Sequence, residues 1–482
     1  MLGLYGPILR AQSVAPFVVP SYAPSTVRLT TSSAVNPLYG SVNAKPATTT
    51  AIQLSLVDAV NRGLDHNLAL TLDQQNQRID AGETKSAFNA LMPDMSVQAH
   101  TGTQSTDLAA IGFSPALFTS LVSAFNLPPG TTFPSIVKVN TTGAQFNLTQ
   151  QLFNLPAIEY YRAAKAYSHV AELNTLNTRG NVVLLVSSGY LQTLAAAAQL
   201  QNERALLRSD ETALNQAHDA HAAGVATNLD ELRARVQYQQ QQQAVVSAEN
   251  TYTKDKIALN RMIGLAADQP IELTDTAPYA DLAIMPLDEA KQTAFIPRKD
   301  YLSLQAQVRT ADMLHRAARY ERYPSLSMDG YYGVLGETHG LYHGVFNAEG
   351  TLKLPIFHEA KFRGDREVAD AQLSRLRSQI ADLEVTMEAQ IRTAMLDVQA
   401  TAQLVKVARS NVDLASQELS DSNDRFAAGV EDNLPVVQAE ASLAGAQTQL
   451  VNALYQYNQA KLTLARNTGI IESQYQVFLG NQ

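Results

Sequence analysis

The chain has 482 residues, 36 of them basic and 45 acidic, for a formal net charge of −9. This balance argues against a nucleic-acid binder, which needs a basic face. There is no cysteine, which excludes disulfides, thiolate metal sites, thiol catalysis and a lipid-modified N-terminal cysteine. No uninterrupted run of 18 apolar residues occurs, so any contact with a membrane is expected to use strands or an interfacial face. Met1 to Leu9 is apolar but short, and a full secretory signal is not visible near Ala11-Gln12-Ser13.

Residues 1–51 are rich in Pro, Ser, Thr and Ala without periodicity. They read as an extended or disordered lead-in. A first helix is expected around Leu56, Ala59, Val60 and Leu64, with Ser55 as cap and Asp58 three residues on. A second runs from about Leu68 to Ala90 and stops before Pro93. The period then changes to two. Met95, Val97 and Ala99 alternate with Ser96, Gln98 and His100, a weak strand. A loop of roughly forty residues leads to a return strand over Phe146, Leu148, Gln150 and Leu152. Pro156 opens a very long helix that ends near Gly224, where glycine suits a left-handed cap. A shorter helix, Leu229 to Ile263, comes back.

Residues 266–297 hold four prolines and read as a connecting segment with one short helix from Leu287. The pattern then recurs. A helix spans Tyr301 to Tyr320. One strand alternates over Leu326, Met328, Gly330, Tyr332 and Val334. Another alternates over Phe346, Ala348, Gly350, Leu352, Leu354 and Ile356. A second long helix, Ala360 to Phe426, carries Ile391, Val398, Val405, Val412, Leu419 and Phe426 every seven residues, with Ala394, Ala408 and Ala415 between them. Bulky and small lines side by side mark helices packed closely along their length. Such a helix is ~100 Å long. Its twin in the first half has Val186, Thr193, Leu200, Leu207, Leu214 and His221 at the same spacing. A last helix, Leu434 to Asn467, follows the turn at Gly429.

The halves are a tandem repeat. Ala222-Ala223-Gly224-Val225 matches Ala427-Ala428-Gly429-Val430, Asn228-Leu229 matches Asn433-Leu434, and Pro93 matches Pro324. The organisation is a lead-in (1–51), a first repeat (52–265), a linker (266–286), a second repeat (287–470) and a tail (471–482). Four strands with one apolar and one polar face suit a bilayer wall. Four cannot close a barrel, and an open edge in lipid is forbidden. Oligomerisation removes the edges; three chains give twelve strands, although the number three is not uniquely fixed by this argument.

With this duplication, the two proline junctions and the two Gly turns followed by Asn-Leu, the sequence resembles the TolC family of outer-membrane factors over about residues 52–470. The resemblance implies a mainly α fold with a transmembrane β part, a TolC-like homotrimer with four strands and long coiled-coil helices per chain. It implies an exit duct in the outer membrane, extending into the periplasm, for a tripartite efflux pump or type I secretion system. A periplasmic adaptor, an inner-membrane pump and outer-membrane lipid are the implied partners. The tip that would gate the duct and meet the adaptor holds Gly224, Asp230, Phe426, Gly429 and Glu431. Some members close this tip with an Asp, a Tyr and an Arg. Asp230 fits the first; Phe426 and Glu431 stand in the other two places. An acidic constriction found in some members maps to Pro435 and Gln438, where the acids are absent.

The rival reading is a periplasmic adaptor or a structural coiled coil without a pore. Neither needs four alternating strands. Gln239 to Gln243 reads as a solvated helix face, with a tunnel lining as the alternative. His339 and His343 are expected in a short loop among Gly336, Gly340 and Gly344, without a third ligand at metal spacing. His218 and His221 near the tip are surface histidines or pH sensors. No phosphate loop, nucleophile elbow or zincin pair is present, and neither enzyme activity nor a cofactor is expected.

Overall fold

Helix-to-strand junctions at Pro93 and Pro324 and a helix reversal at Gly224 set the architecture. A computed structural model describes residues 36–42, 46–108, 115–125, 128, 131, 136–224, 226–275, 282, 295–428, 430 and 434–479. Ser55 caps α1 (Leu56–His66): the Asp58 N–H donates to its hydroxyl at 3.1 Å and the hydroxyl donates to the Asp58 carboxylate at 2.6 Å. Helix α2 (Leu68–Asn89) follows and ends before Pro93. Strand β2 (Asp94–Asp107), helix α3 (Pro115–Ala124) and strand β3 (Ile136–Phe153) come next. The return strand is thus longer than its apolar alternation indicates, and the expected forty-residue loop is shorter.

Asn154 caps α4 (Leu155–Ala222), and Pro156 lies in its first turn. Helix α5 (Asn228–Met262) returns. The second half repeats the plan with α6 (Lys299–Tyr320), β5 (Ser325–Glu337), β6 (Tyr342–Lys353), α7 (Glu359–Ala427) and α8 (Leu434–Asn467). At 69 residues, α7 is about 100 Å long. Strand β6 ends at Lys353, so Leu354 and Ile356 fall outside it. Pro355 has no N–H to continue the ladder.

Besides α3, and a 3-10 turn at Pro37–Tyr39 within the expected disordered lead-in, three elements are additional to the expected set. Strand β1 (Ile52–Leu54) pairs in parallel with β4 (Ile271–Leu273), so the linker begins with a strand anchored to the first repeat. Helix α9 (Ile471–Leu479) occupies the tail. The short helix expected at Leu287 lies outside the described residues. Strands β1 and β4 sit against a core of Val182, Val186 and Tyr190 from α4, Leu259 and Ile263 from α5, and Tyr475 and Leu479 from α9. The Tyr190 hydroxyl donates to the Leu54 carbonyl at 3.0 Å. One stretch of α4 is apolar enough by composition to cross a bilayer, but 56% of it is buried inside the chain; it serves as core.

The heptad seam of α7 packs on α8. Ile391, Ala394, Val398, Val405 and Ala408 are at most 5% exposed, and Ala453, Tyr457, Ala460 and Leu464 face the seam. Toward the turn the seam loosens: Val412, Leu419 and Phe426 are only half-buried. The first half shows the same gradient. Val186 and Thr193 are fully buried, Leu207 and Leu214 half-buried, and His221 exposed.

The four long strands form one antiparallel sheet in the order β2-β3-β5-β6. Within the chain, β2 and β6 each have one unpaired edge.

The burial gradient predicts unequal costs along one seam. Ile391→Ala should cost about 2–5 kcal/mol, the range for a large buried residue, and Leu419→Ala distinctly less. Thermal unfolding followed by circular dichroism in detergent checks this; equal losses would contradict the gradient.

Candidate functional site

The sheet has two chemically distinct faces, set by strand alternation and register. On one face, Val97 opposes Phe146, Phe146 opposes Tyr332, and Tyr332 opposes Phe346. The adjoining rows add Met95, Leu148, Ala144 and Val334. Within the single chain this apolar face is bare: Val97 and Phe346 are each 79% exposed. The opposite face is polar. Ser96, Asn147, Tyr331 and Asn347 form one row. The next row is Asp94, Thr149, Asp329 and Glu349, which brings three carboxylates onto one level. His343 belongs to β6 on this polar face, level with His100, rather than to a loop. His339 lies in the β5–β6 turn with φ 70°. Among the described residues, no cluster of three or more metal-ligating side chains occurs.

The helical turns lie at the far end. Gly224 follows α4 with φ 77°, a left-handed conformation that glycine adopts without a Cβ clash. Its N–H donates to the His221 carbonyl at 2.9 Å. Space is not what demands glycine here, because an added Cβ meets no atom within 4 Å; the backbone angle is.

Asp230 closes a capping box on α5. The Asp230 N–H donates to Thr227 Oγ1 at 3.3 Å, and the Thr227 N–H donates to the Asp230 carboxylate at 3.0 Å. The Thr227 hydroxyl also donates to that carboxylate, at 2.6 Å. This hydroxyl, chiefly, holds the Asp230 carboxyl below the usual range, with Arg233 adding a smaller effect. Asp230 therefore spends its hydrogen-bonding capacity within its own turn. Phe426 is half-buried near the end of α7. Gly429 and Glu431 lie outside the described residues. Pro435 is half-buried and Gln438 exposed in the first turns of α8.

Sequence patterning had singled out His218 and His221 but not Glu231, which is buried between His218 (3.3 Å) and Arg235 (2.8 Å). His221 Nδ1 faces the Ala226 carbonyl at 3.4 Å. The glutamine run is mostly solvated, except that Gln241 is buried and donates to the Glu203 carboxylate at 2.6 Å.

A sheet with one apolar and one wet face, continued by paired helices of this length, defines a membrane channel with a long helical extension. Residues 60–265 and 292–470 match the outer membrane efflux protein family, and the chain belongs to that family. It is similar to the alkaline protease secretion protein AprF of Pseudomonas aeruginosa, at 24% identity over 74% of this chain and 78% of that protein. It is also similar to the pyoverdine export outer membrane protein OpmQ of Pseudomonas putida, at 25% identity over 59% of this chain and 61% of the relative. The fold is shared with the outer membrane channel CmeC of Campylobacter jejuni. There the TM-score is 0.73 and the identity 16%, with 92% and 95% of the two chains covered. It is shared too with the outer membrane protein VceC of Vibrio cholerae: TM-score 0.71, identity 17%, with 86% and 96% covered. Family and fold are those of transport proteins of the outer membrane.

Because the capping box satisfies orphan donors of α5, Thr227→Ala should cost about 1 kcal/mol locally. Amide hydrogen exchange over the first turn of α5 should accelerate while the sheet is unaffected. Unchanged exchange there would remove the cap from this account.

Proposed function

We propose that three copies of this chain join edge to edge into a twelve-stranded barrel in the outer membrane, with the helices forming a tunnel through the periplasm. The protein then acts as the passive exit duct of a tripartite efflux pump or a type I secretion system. The observation that carries this reading is the pair of open edges on β2 and β6, flanking a sheet whose apolar face is bare. Unpaired backbone groups in hydrocarbon cost several kcal/mol each, and closure by further copies removes them. The apolar face would meet lipid and the polar face water. AprF is named for protease secretion and OpmQ for pyoverdine export. These names support export, of a polypeptide or a small molecule, as the task.

The reading assigns the tip, with Gly224, Asp230, Phe426, Gly429 and Glu431, to gating and to contact with a periplasmic adaptor that links the duct to an inner-membrane pump. Pro435 and Gln438 mark the place where a constriction would stand without its acids. A soluble adaptor or a bare coiled coil is disfavoured because neither accounts for the bare apolar face of the sheet.

Purified protein should need detergent to stay monodisperse, and should conduct in planar bilayers once the tip opens. Solubility without detergent, together with electrical silence, would sink the duct. Gly224→Val and Gly429→Val place a β-branched residue where a left-handed angle is expected, at about 1–2 kcal/mol each. Both should impair export from cells and leave oligomer assembly intact; normal export from both removes the tip assignment. If the polar face lines the lumen, the row of Asp94, Asp329 and Glu349 makes the pore favour cations. The triple variant with Asp94→Asn, Asp329→Asn and Glu349→Gln should lose that preference in reversal-potential measurements under a salt gradient.

A further inference from the structure

Helix α4 of the first hairpin and α8 of the second run side by side toward the tip. In that half of the molecule, few polar side chains tie the two hairpins together among the described residues. Gln199 Nε2 donates to Thr448 Oγ1 at 2.9 Å, and Ser209 Oγ donates to Glu440 Oε1 at 3.0 Å. The second contact brings Glu440 on α8 against the residue next to Asp210 on α4, and the facing Glu440 helps to push the Asp210 carboxyl up. Asp210 and Glu440 are both buried, at 2% and 4% exposed. Asp210 Oδ2 is buried without any hydrogen-bond partner.

Among the described residues, no ion pair brings a cation to either carboxyl. From α5, the group that meets Asp210 is the neutral Gln237 amide, with Arg233 and Tyr238 half-buried on neighbouring turns. Arg233 reaches toward Asp230, at 3.8 Å. On α4 itself, Arg208 and Glu211 are exposed. On α8, Glu440 is the sole charged residue from Leu434 to Ala460. On α7, Glu418 lines the open groove beside Ser442 and Ala441 and is solvated. No salt bridge reaches Asp210 or Glu440 among the described residues.

Two buried carboxyls that face each other, with no ion pair among the described residues, cannot both be ionised cheaply. One proton held between them turns repulsion into an O–H···O bond, a strong kind when the acceptor is charged. We propose that Asp210 and Glu440 form a proton-shared pair that latches the two hairpins of a chain together near the tip, and that loss of the proton releases the latch and favours opening. This rests on the duct reading for its consequence but not for its test.

The direction with pH follows from burial. Removal from water, and next the facing Glu440, push the Asp210 carboxyl from 3.8 up to about 7. A raised folded value means the latch is fully present below 3.8 and is lost as pH rises through about 7. The closed-to-open ratio should therefore fall as pH rises toward and through that value.

The absence of native cysteine makes a spin-label pair at Thr212→Cys and Ser442→Cys unique in the full-length chain. Between pH 5 and pH 8, pulsed electron resonance should show the short-distance population giving way to a longer one, by about tenfold or more in ratio. Asp210→Asn and Glu440→Gln each replace the acid O–H by a neutral N–H donor, and should hold the short distance at both pH values. A distance independent of pH in the unsubstituted pair, an unchanged pH response in both variants, or variants that stand open at pH 5 would each overturn the latch. A pH-dependent distance in a protein that never conducts keeps the latch and removes the duct. Conductance with a fixed distance does the reverse.

Discussion

Backbone N–H and C=O groups that enter hydrocarbon must find partners. Strands β2 and β6 each leave a row of them unpaired in the single chain. The rest of the molecule can be understood from that demand. Joining edge to edge places identical sheets around an axis, which in turn places the long helices around the same axis. In the proposed closure the apolar rows through Val97 and Phe346 would face outward and the row of Asp94, Asp329 and Glu349 would face the enclosed space. Neither face makes physical sense on an isolated open sheet in water.

Packing along the helices is graded, and the gradient has a dynamic meaning. Around β1 and β4 the core is dense: Tyr190, Leu54, Leu259 and Ile263 are almost fully enclosed. Toward the turns the large residues of the same heptads are half-buried, and Gln199–Thr448 and Ser209–Glu440 are polar links between the two hairpins there. Regions with few buried apolar contacts open at lower free energy than the core. A tube that is stiff at its middle and loose at its mouth can open at one end without unfolding. The repeating pattern is continuous along α7; what changes is how much neighbouring surface each position finds.

The legibility of this fold followed the length over which a pattern persisted. A heptad from Ile391 to Phe426, in a run without proline, placed α7 within a residue of its ends, and α8 was placed at its bounds. Strand β3 was found only from Phe146, because from Ile136 to Gly143 its faces do not sort into apolar and polar. Strands β1 and β4, three residues each, are too short for any period to register. Pairing between residues far apart in sequence left no local trace. Asp210 and Glu440 meet only because α4 and α8 lie side by side, and each taken alone is an ordinary helical acid. At the tip, Asp230 was legible as a first-turn acid, and Thr227 three residues earlier supplies the other half of its capping box.

The residues proposed for the tip differ from the pattern that the resemblance implies. Phe426, Glu431, Pro435 and Gln438 remove the tyrosine, the arginine and the acidic constriction that the resemblance implies. Carboxylates are present elsewhere, in two environments that give them opposite character. The row on the sheet is open to water, where acids ionise and act as a field on passing ions. The pair between α4 and α8 is shut away from water, where ionisation is costly and the proton becomes part of the packing. The same functional group is thus placed where charge would steer ions and, separately, where its loss would hold two hairpins together. Burial, more than residue type, decides between those roles.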